Sequence, residues 1–421
     1  MKKTSLALAI AASTLGVSLS QIAQAEFIKD SKASIEARNF YFNRDFREGD
    51  GQAKQEEWAQ GFLLRLESGY TEGTVGFGVD ALGTFGFKLD SGDGTAGSGL
   101  LVPDLESGGS QDNYGDLGLA AKAKISETVL KVGSLQLKNM AIGSSDGRLL
   151  PQVFRGGQLV SKDIAGLTLD AGYLDEVNHR NSGDYEDLKL NTYTHSGITF
   201  KGGSAANVSN EFVFAGGSYK LSDSLTGGYY YSNLEDLYKQ HSFNLVHVLP
   251  LGDKQSLKTD LRYARSTDDG HSNVDNKAFG AMVTYALSGH SFGLGYQSMS
   301  GDTGFAYVNG TDPFLVNYVQ IGNFAAKDEK SWQARYDFNF ASIGIPGLTF
   351  MTRYLTGDNI DRGDGVSDGR EWERDMDLAY VVQTGPLKNL GLKWRNAMVR
   401  NNFSRDIDEN RLIVSYTLPL F

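Results

Sequence analysis

Two sets of residues carry side chains suited to gripping a small ion. The first is Arg335, Arg353, Lys393, Arg395 and Arg411, gathered toward the C-terminus, with Arg38 near the start. The second is compact: Ser144, Ser145, Asp146 and Arg148 lie within five positions. A guanidinium offers a planar fork of donors that matches a carboxylate two bonds at a time. Hydroxyls beside it add donors, and Asp146 could orient Arg148 or hold a solute amine. The plain alternative for this segment is a solvated Asp-Gly turn. Cations set along a low-dielectric wall concentrate anions and offer them successive weak sites.

Other chemistries find little footing. There is no cysteine, which removes disulfides, zinc ribbons, iron–sulfur clusters and a thiol nucleophile. Lys and Arg number 40 against 51 Asp and Glu, a poor balance for gripping nucleic-acid phosphates. His241 and His247 are too far apart along one strand to pair, and no Ser/His or Asp/His dyad stands out. Gly76-Phe-Gly-Val-Asp-Ala81 imitates a dinucleotide fingerprint without a following helix. Asp358–Asp368 is Asp-rich but lacks the spacing and terminal Glu of a calcium loop. No enzyme activity, cofactor or metal site is therefore expected. A barrel enzyme of protease or lipase type, an adhesive barrel and a nonspecific pore are the competing readings.

The elements that must position the cations are strands. In Trp58–Tyr70 the even positions read Trp, Gln, Phe, Leu, Leu, Ser, Tyr, and the odd ones carry Ala, Gly, Arg and Glu with a single Leu. Ser331–Phe340, Arg374–Gln383, Leu257–Tyr263 and Arg411–Leu418 alternate in the same way. Strand side chains point to opposite faces in turn, so each segment has one apolar and one polar face. A soluble sandwich would turn the apolar face to a core. A transmembrane barrel turns it to lipid and keeps the polar face in the lumen. The segments run ~9–11 residues, the span of a tilted strand through a bilayer. Many are flanked by Tyr, Trp or Phe, as interfacial girdles are. Short turns alternate with long polar stretches such as Asp90–Gly115, Ser300–Asp328 and Gly357–Arg370. No later run is long and apolar enough for a membrane helix. The fold expected is all-β, a transmembrane antiparallel barrel.

The first 25 residues read as a secretory signal: Lys2 and Lys3, an apolar stretch from Leu6 to Leu19, then Ala23-Gln24-Ala25. Removing them leaves residues 26–421 as one barrel domain. That length suits 16 or 18 strands, enough to enclose an aqueous channel rather than a packed interior. A Gram-negative outer membrane follows as the location. The expected partners are small carboxylate solutes, outer-membrane lipid and lipopolysaccharide, and the barrel assembly machinery, with a monomer or weak trimer as the assembly.

Parity places the cations. Leu348, Phe350 and Tyr354 take the lipid side, so Arg353 faces the lumen. Leu392 and Trp394 do the same for Lys393 and Arg395, and Arg335 and Arg411 follow by the same rule. Closure sets the last strand beside the first, where Arg38 shares a face with Glu36, although Asn39 and Phe40 break the alternation. An Arg against lipid costs ~2–4 kcal/mol at the midplane, which supports the inward assignment. Lys122 and Lys124 share the polar face of Leu117–Ile125. Asp337, Asp375 and Asp377 lie in the same sector as the arginines, so simple ion pairing is the bland reading of each cation.

Several segments resemble the OprD family of substrate-specific outer-membrane channels. They are Glu36-Ala-Arg-Asn-Phe-Tyr-Phe-Asn-Arg-Asp-Phe46, Glu57-Trp-Ala-Gln-Gly-Phe62, Gly73–Leu89, Ser145-Asp-Gly-Arg-Leu-Leu-Pro-Gln-Val-Phe154 and the closing Arg411–Phe421. The resemblance implies 18 strands and a third loop folded inward as a constriction. It also implies a lumenal ladder of Arg and Lys that guides carboxylates past that constriction.

Overall fold

In the computed structural model, residues 29–104 and 106–421 are described; the expected signal segment lies outside them. Twenty strands run in chain order. They are β1 (Lys32–Phe46), β2 (Lys54–Glu67), β3 (Gly76–Ser91), β4 (Asn113–Ile125), β5 (Thr128–Leu135), β6 (Val153–Ser161), β7 (Leu167–Asn178), β8 (Tyr185–Lys189), β9 (Val208–Ser209), β10 (Phe212–Lys220), β11 (Leu225–Leu234), β12 (Tyr238–Gly252), β13 (Gln255–Asp268), β14 (Asp275–Leu287), β15 (His290–Ser300), β16 (Lys330–Asn339), β17 (Leu348–Ile360), β18 (Gly369–Val381), β19 (Gly391–Asn401) and β20 (Ile407–Pro419). Each wall strand pairs antiparallel with the next. β7 skips to β10, and short β8 and β9 belong to the connection between them. β20 returns to β1 with Leu412 opposite Tyr41 and Arg411 opposite Phe42. Leaving out β8 and β9, the wall is a closed barrel of 18 antiparallel strands, and closure leaves it no free edge. The wider of the two strand counts is the one observed.

The apolar parity faces outward. Trp58, Phe62, Leu64, Trp332, Tyr354, Leu378, Leu392, Leu412 and Val414 are exposed large side chains, and a bilayer is what covers such a band. The lumen-parity partners on the same strands are buried: Glu57, Ala59 and Leu63 on β2, Ser331 and Gln333 on β16, Glu373 and Asp375 on β18.

The apparent fault in β1 has a cause. Phe40 and Phe42 face inward because another chain segment covers them, forming a buried cluster with Ala59, Leu63, Leu100, Leu101, Tyr114, Leu149 and Leu150. Asn39 points outward and is satisfied there, accepting from Trp58 Nε1 at 2.9 Å and donating to Gln60 Oε1 at 3.2 Å. The covering segment comes from the β5–β6 connection. Its Leu149 lies so close to the wall that a Cβ on Gly61 would sit 3.0 Å from Leu149 Cγ, and one on Gly86 2.9 Å from its Cδ2. Glycine at these two inward positions is what lets the segment seat.

Candidate functional site

The site is built where two long connections meet the inward faces of β1 and β16–β20. In the β5–β6 connection, Ser144 N–H donates to Leu137 O at 2.8 Å and Leu137 N–H to Ser144 Oγ at 3.0 Å, closing a small loop. Asn139 ties this loop to β7 by donating to Asp170 Oδ2 at 2.8 Å. The connection between β15 and β16 reaches it: Asp312 N–H donates to Gly143 O at 2.9 Å, and Gln152 Nε2 to Asn309 O at 3.1 Å. The same connection is fixed to the far wall, where Ile321 and Gly322 N–H groups donate to the buried Glu373 carboxylate at 2.9 and 2.6 Å.

Each expected residue can now be placed. Arg38 projects inward from β1 and holds the β5–β6 connection by donating from Nη1 to Asp146 Oδ1 at 2.7 Å and to Arg148 O at 2.9 Å. Asp146 is therefore the partner of Arg38, not of Arg148. Arg148 is buried; its Nε donates to Ser98 O at 2.9 Å and its guanidinium lies 5.1 Å from the Phe42 ring centre. Ser144 serves the local loop, whereas Ser145 Oγ accepts from Arg180 Nη1 at 3.3 Å. Arg411 sits at 2% exposure, paired with Glu409 at 2.6 Å and capped by Gln320 O at 3.2 Å.

The remaining ladder positions face inward as parity requires, each beside an acid. Arg353 meets Asp375 at 2.7 Å, and Arg335 meets Asp337 at 2.7 Å. Asp377 bridges Arg395 at 3.0 Å and Lys393 at 3.3 Å. Access is graded: the side chains of Lys393 and Arg335 are 40% and 38% exposed, that of Arg353 11%. On the β3–β5 side, Asp80 bridges Lys122 and Lys131, each at 2.6 Å. Lys124 pairs instead with Glu127 near the β4–β5 turn.

Beyond Lys131, sequence reasoning missed other cations, three of which bear on this site. Arg44 clamps the buried Glu409 carboxylate from the other side at 2.6 Å, so Glu409 is gripped by two guanidiniums beneath the Phe42 ring. Arg65 reaches Glu36 at 3.2 Å. Arg180 follows β7 directly and gives no strand parity to read. Its guanidinium converges with that of Arg148: a Cβ on Gly99 would lie 3.5 Å from Arg180 Nε and 3.8 Å from Arg148 Nε. Neither has a carboxylate within ion-pair distance among the described residues. Burial, then the guanidiniums of Arg411 and Arg180, push the pKa of Arg148 down. Glu409 opposes this shift only in part, and a buried cation with no carboxylate in direct contact is costly until an anion joins it.

The model of the outer membrane porin family OprD matches residues 25–420. The chain belongs to the OprD family of outer-membrane porins. It is 42% identical to the porin-like protein GalP of Pseudomonas putida over 96% of each chain. It is 37% identical to Porin D of Pseudomonas aeruginosa over 100% of this chain and 99% of that one. Among solved structures, OpdQ of Pseudomonas aeruginosa is 61% identical, with a TM-score of 0.87, covering 94% of this chain and all of the other. A BenF-like porin from Pseudomonas fluorescens Pf-5 superposes with a TM-score of 0.87 at 42% identity, again over 94% and 100%. This OprD-family porin is thus an outer-membrane channel of a Gram-negative cell. Its relatives are channels rather than enzymes, and the wall described above encloses its pore.

Proposed function

We propose that the channel takes up small carboxylate-bearing solutes, and that the two long connections meeting across the lumen form its constriction. The observation that carries this reading is the convergence of Arg148 and Arg180 on Gly99 with no ion-paired carboxylate of their own among the described residues. A solute carboxylate arriving there supplies the missing counter-charge, with Ser145 at hand as a further donor. Glu409, held between Arg44 and Arg411, is an internal example of the same recognition. The inward wall also offers Arg38 and the more open Arg395, Lys393 and Arg335, with Arg353 opposite Arg335. Because each of these already touches an acid, each binds weakly and releases readily, which conduction needs. No catalytic step is part of this reading.

The pairing of the wall cations also favours a second reading, a nonspecific pore in which acids cancel the ladder. Liposome uptake separates the two. The folded protein should pass radiolabelled small carboxylates several-fold faster than amides of matched size. Arg148→Gln and Arg180→Gln should each erase most of that preference. Equal fluxes of acid and amide through the wild type would remove the carboxylate reading and leave the nonspecific one.

A further inference from the structure

The outward face of β18 carries an arrangement that the pore does not use. Its even positions point away from the lumen and read Arg370, Trp372, Arg374, Met376, Leu378, Tyr380 from the loop end downward. Met376, Leu378 and Tyr380 belong to the apolar band, with Leu378 41% exposed. Arg370 and Arg374 sit above that band, on either side of Trp372. The Gly369 end of β18 adjoins the connection 361–368, and the other end adjoins 382–390. The chain enters β1 and leaves β20 at the end of the barrel opposite the 361–368 connection, and in outer-membrane barrels that opposite end is periplasmic. Arg370 and Arg374 therefore lie at the outer-leaflet boundary.

The local partners leave these two cations uncompensated. Arg374 Nη2 donates to Asn396 Oδ1, and its buried Nε has no hydrogen-bond partner. Neither Arg374 nor Arg370 has a carboxylate within ion-pair distance among the described residues. The neighbouring Arg400 is different: it stacks 5.8 Å from the Trp372 ring centre and is neutralised by Asp408 at 2.8 Å and Asp406 at 3.4 Å. Asp358 is the nearest outward acid by register on β17, and no ion pair ties it to either arginine. Below, Asn396 Nδ2 and Trp394 Nε1 both donate to Asn410 Oδ1, at 3.1 and 3.2 Å, extending a polar shelf across β19 and β20. An aromatic ring with flanking arginines above apolar side chains matches a lipid whose phosphorylated headgroup sits over acyl chains.

We propose that the outer third of β18 is a binding site for the phosphate of an anionic outer-leaflet glycolipid. Arg370 and Arg374 bind the phosphate, Trp372 lies at the headgroup level, and Met376 and Leu378 line the acyl chains. Guanidinium forks suit a phosphate as they suit a carboxylate, and both arginines point away from the pore.

The test is native mass spectrometry of the full-length folded porin in detergent, titrated with bis-phosphorylated lipid A. Fully dephosphorylated lipid A and inorganic phosphate are the comparison probes. The wild type should retain the phosphorylated lipid at least tenfold more tightly than the dephosphorylated one and should not retain inorganic phosphate. The Arg370→Gln/Arg374→Gln double variant should lose that advantage while conducting normally in a planar bilayer, since neither residue faces the lumen. Lys393→Gln, a lumen change, should retain the lipid. Equal lipid retention by the double variant and the wild type would overturn the site. Equal retention of both lipid forms would show an acyl-chain contact without phosphate recognition and would also overturn it. Retention of inorganic phosphate alone would reassign the site to free anions.

Discussion

At the scale of single residues, the cations of this pore differ by what they already hold. Arg411 and Arg353 are spent on Glu409 and Asp375, whereas Lys393 and Arg395 share one acid, Asp377. Asp377→Asn should therefore leave two wall cations without a counter-charge and strengthen anion attraction rather than weaken it. Ion-selectivity measurements on this variant should move toward anions; movement toward cations would mean the Lys393–Arg395 pair does not face the permeating ion. Strand parity was enough to turn Arg335, Arg353, Lys393, Arg395 and Arg411 inward, because an arginine on the lipid side is penalised strongly enough to leave a pattern. Parity says nothing about which acid each cation meets, since that depends on cross-strand register. Arg180 stayed hidden for a related reason: it lies just past the end of β7, where no alternation exists. Phe40 looked misplaced because its cover, Leu149 and Leu150, comes from more than a hundred residues away.

At the scale of elements, the long connections are held by a few polar latches. Glu373 accepts two backbone N–H groups from Ile321 and Gly322. Hydrogen bonds of this kind contribute about 0.5–1.5 kcal/mol each. Glu373→Ala should free the 318–325 segment from β18 without opening the wall, giving a larger and noisier single-channel conductance in a barrel that still resists heat. Unchanged conductance would show that the segment is seated by its other contacts alone. A second latch depends on pH. His179, just beyond β7, receives a hydrogen bond on Nδ1 from Gln152 Nε2 at 3.3 Å and faces Glu186 Oε1 at 3.3 Å through Nε2. Burial lowers the pKa of His179; Glu186 opposes this, and Lys189 and Arg180 add to it. The latched form then binds fewer protons than the released form between that lowered value and the ordinary ~6.5, so latching strengthens as pH rises and is lost as pH falls through this window. Channel noise in planar bilayers should increase on acidification below about pH 6.5, and His179→Gln should flatten that dependence. The strands were legible because alternation repeats in each of them. The latches were not, because each joins residues far apart in sequence with no periodicity to mark it.

At the scale of the whole molecule, closure makes one pore from both ends of the chain. β20 lies beside β1, and Leu420 N–H reaches Ala33 O at 2.8 Å beyond the last wall residue, Pro419. Chain length admitted 16 or 18 strands, and the pairing from β1 round to β20 resolves it to 18. The overall charge of −11 does not describe this wall, where the cations gathered between β16 and β1 sit beside acids such as Asp337, Asp375, Asp377 and Glu409. We propose that these cations, with Arg148 and Arg180, steer the permeating ion. The most direct test is the reversal potential across a salt gradient in planar bilayers, for wild type and for Arg148→Gln, Arg180→Gln, Lys393→Gln and Arg395→Gln. Each neutralisation should shift the reversal potential toward cation preference. Arg148→Gln should shift it most, because the least water screens charge at that buried position. Reversal potentials indistinguishable from wild type in all four folded variants would contradict the claim.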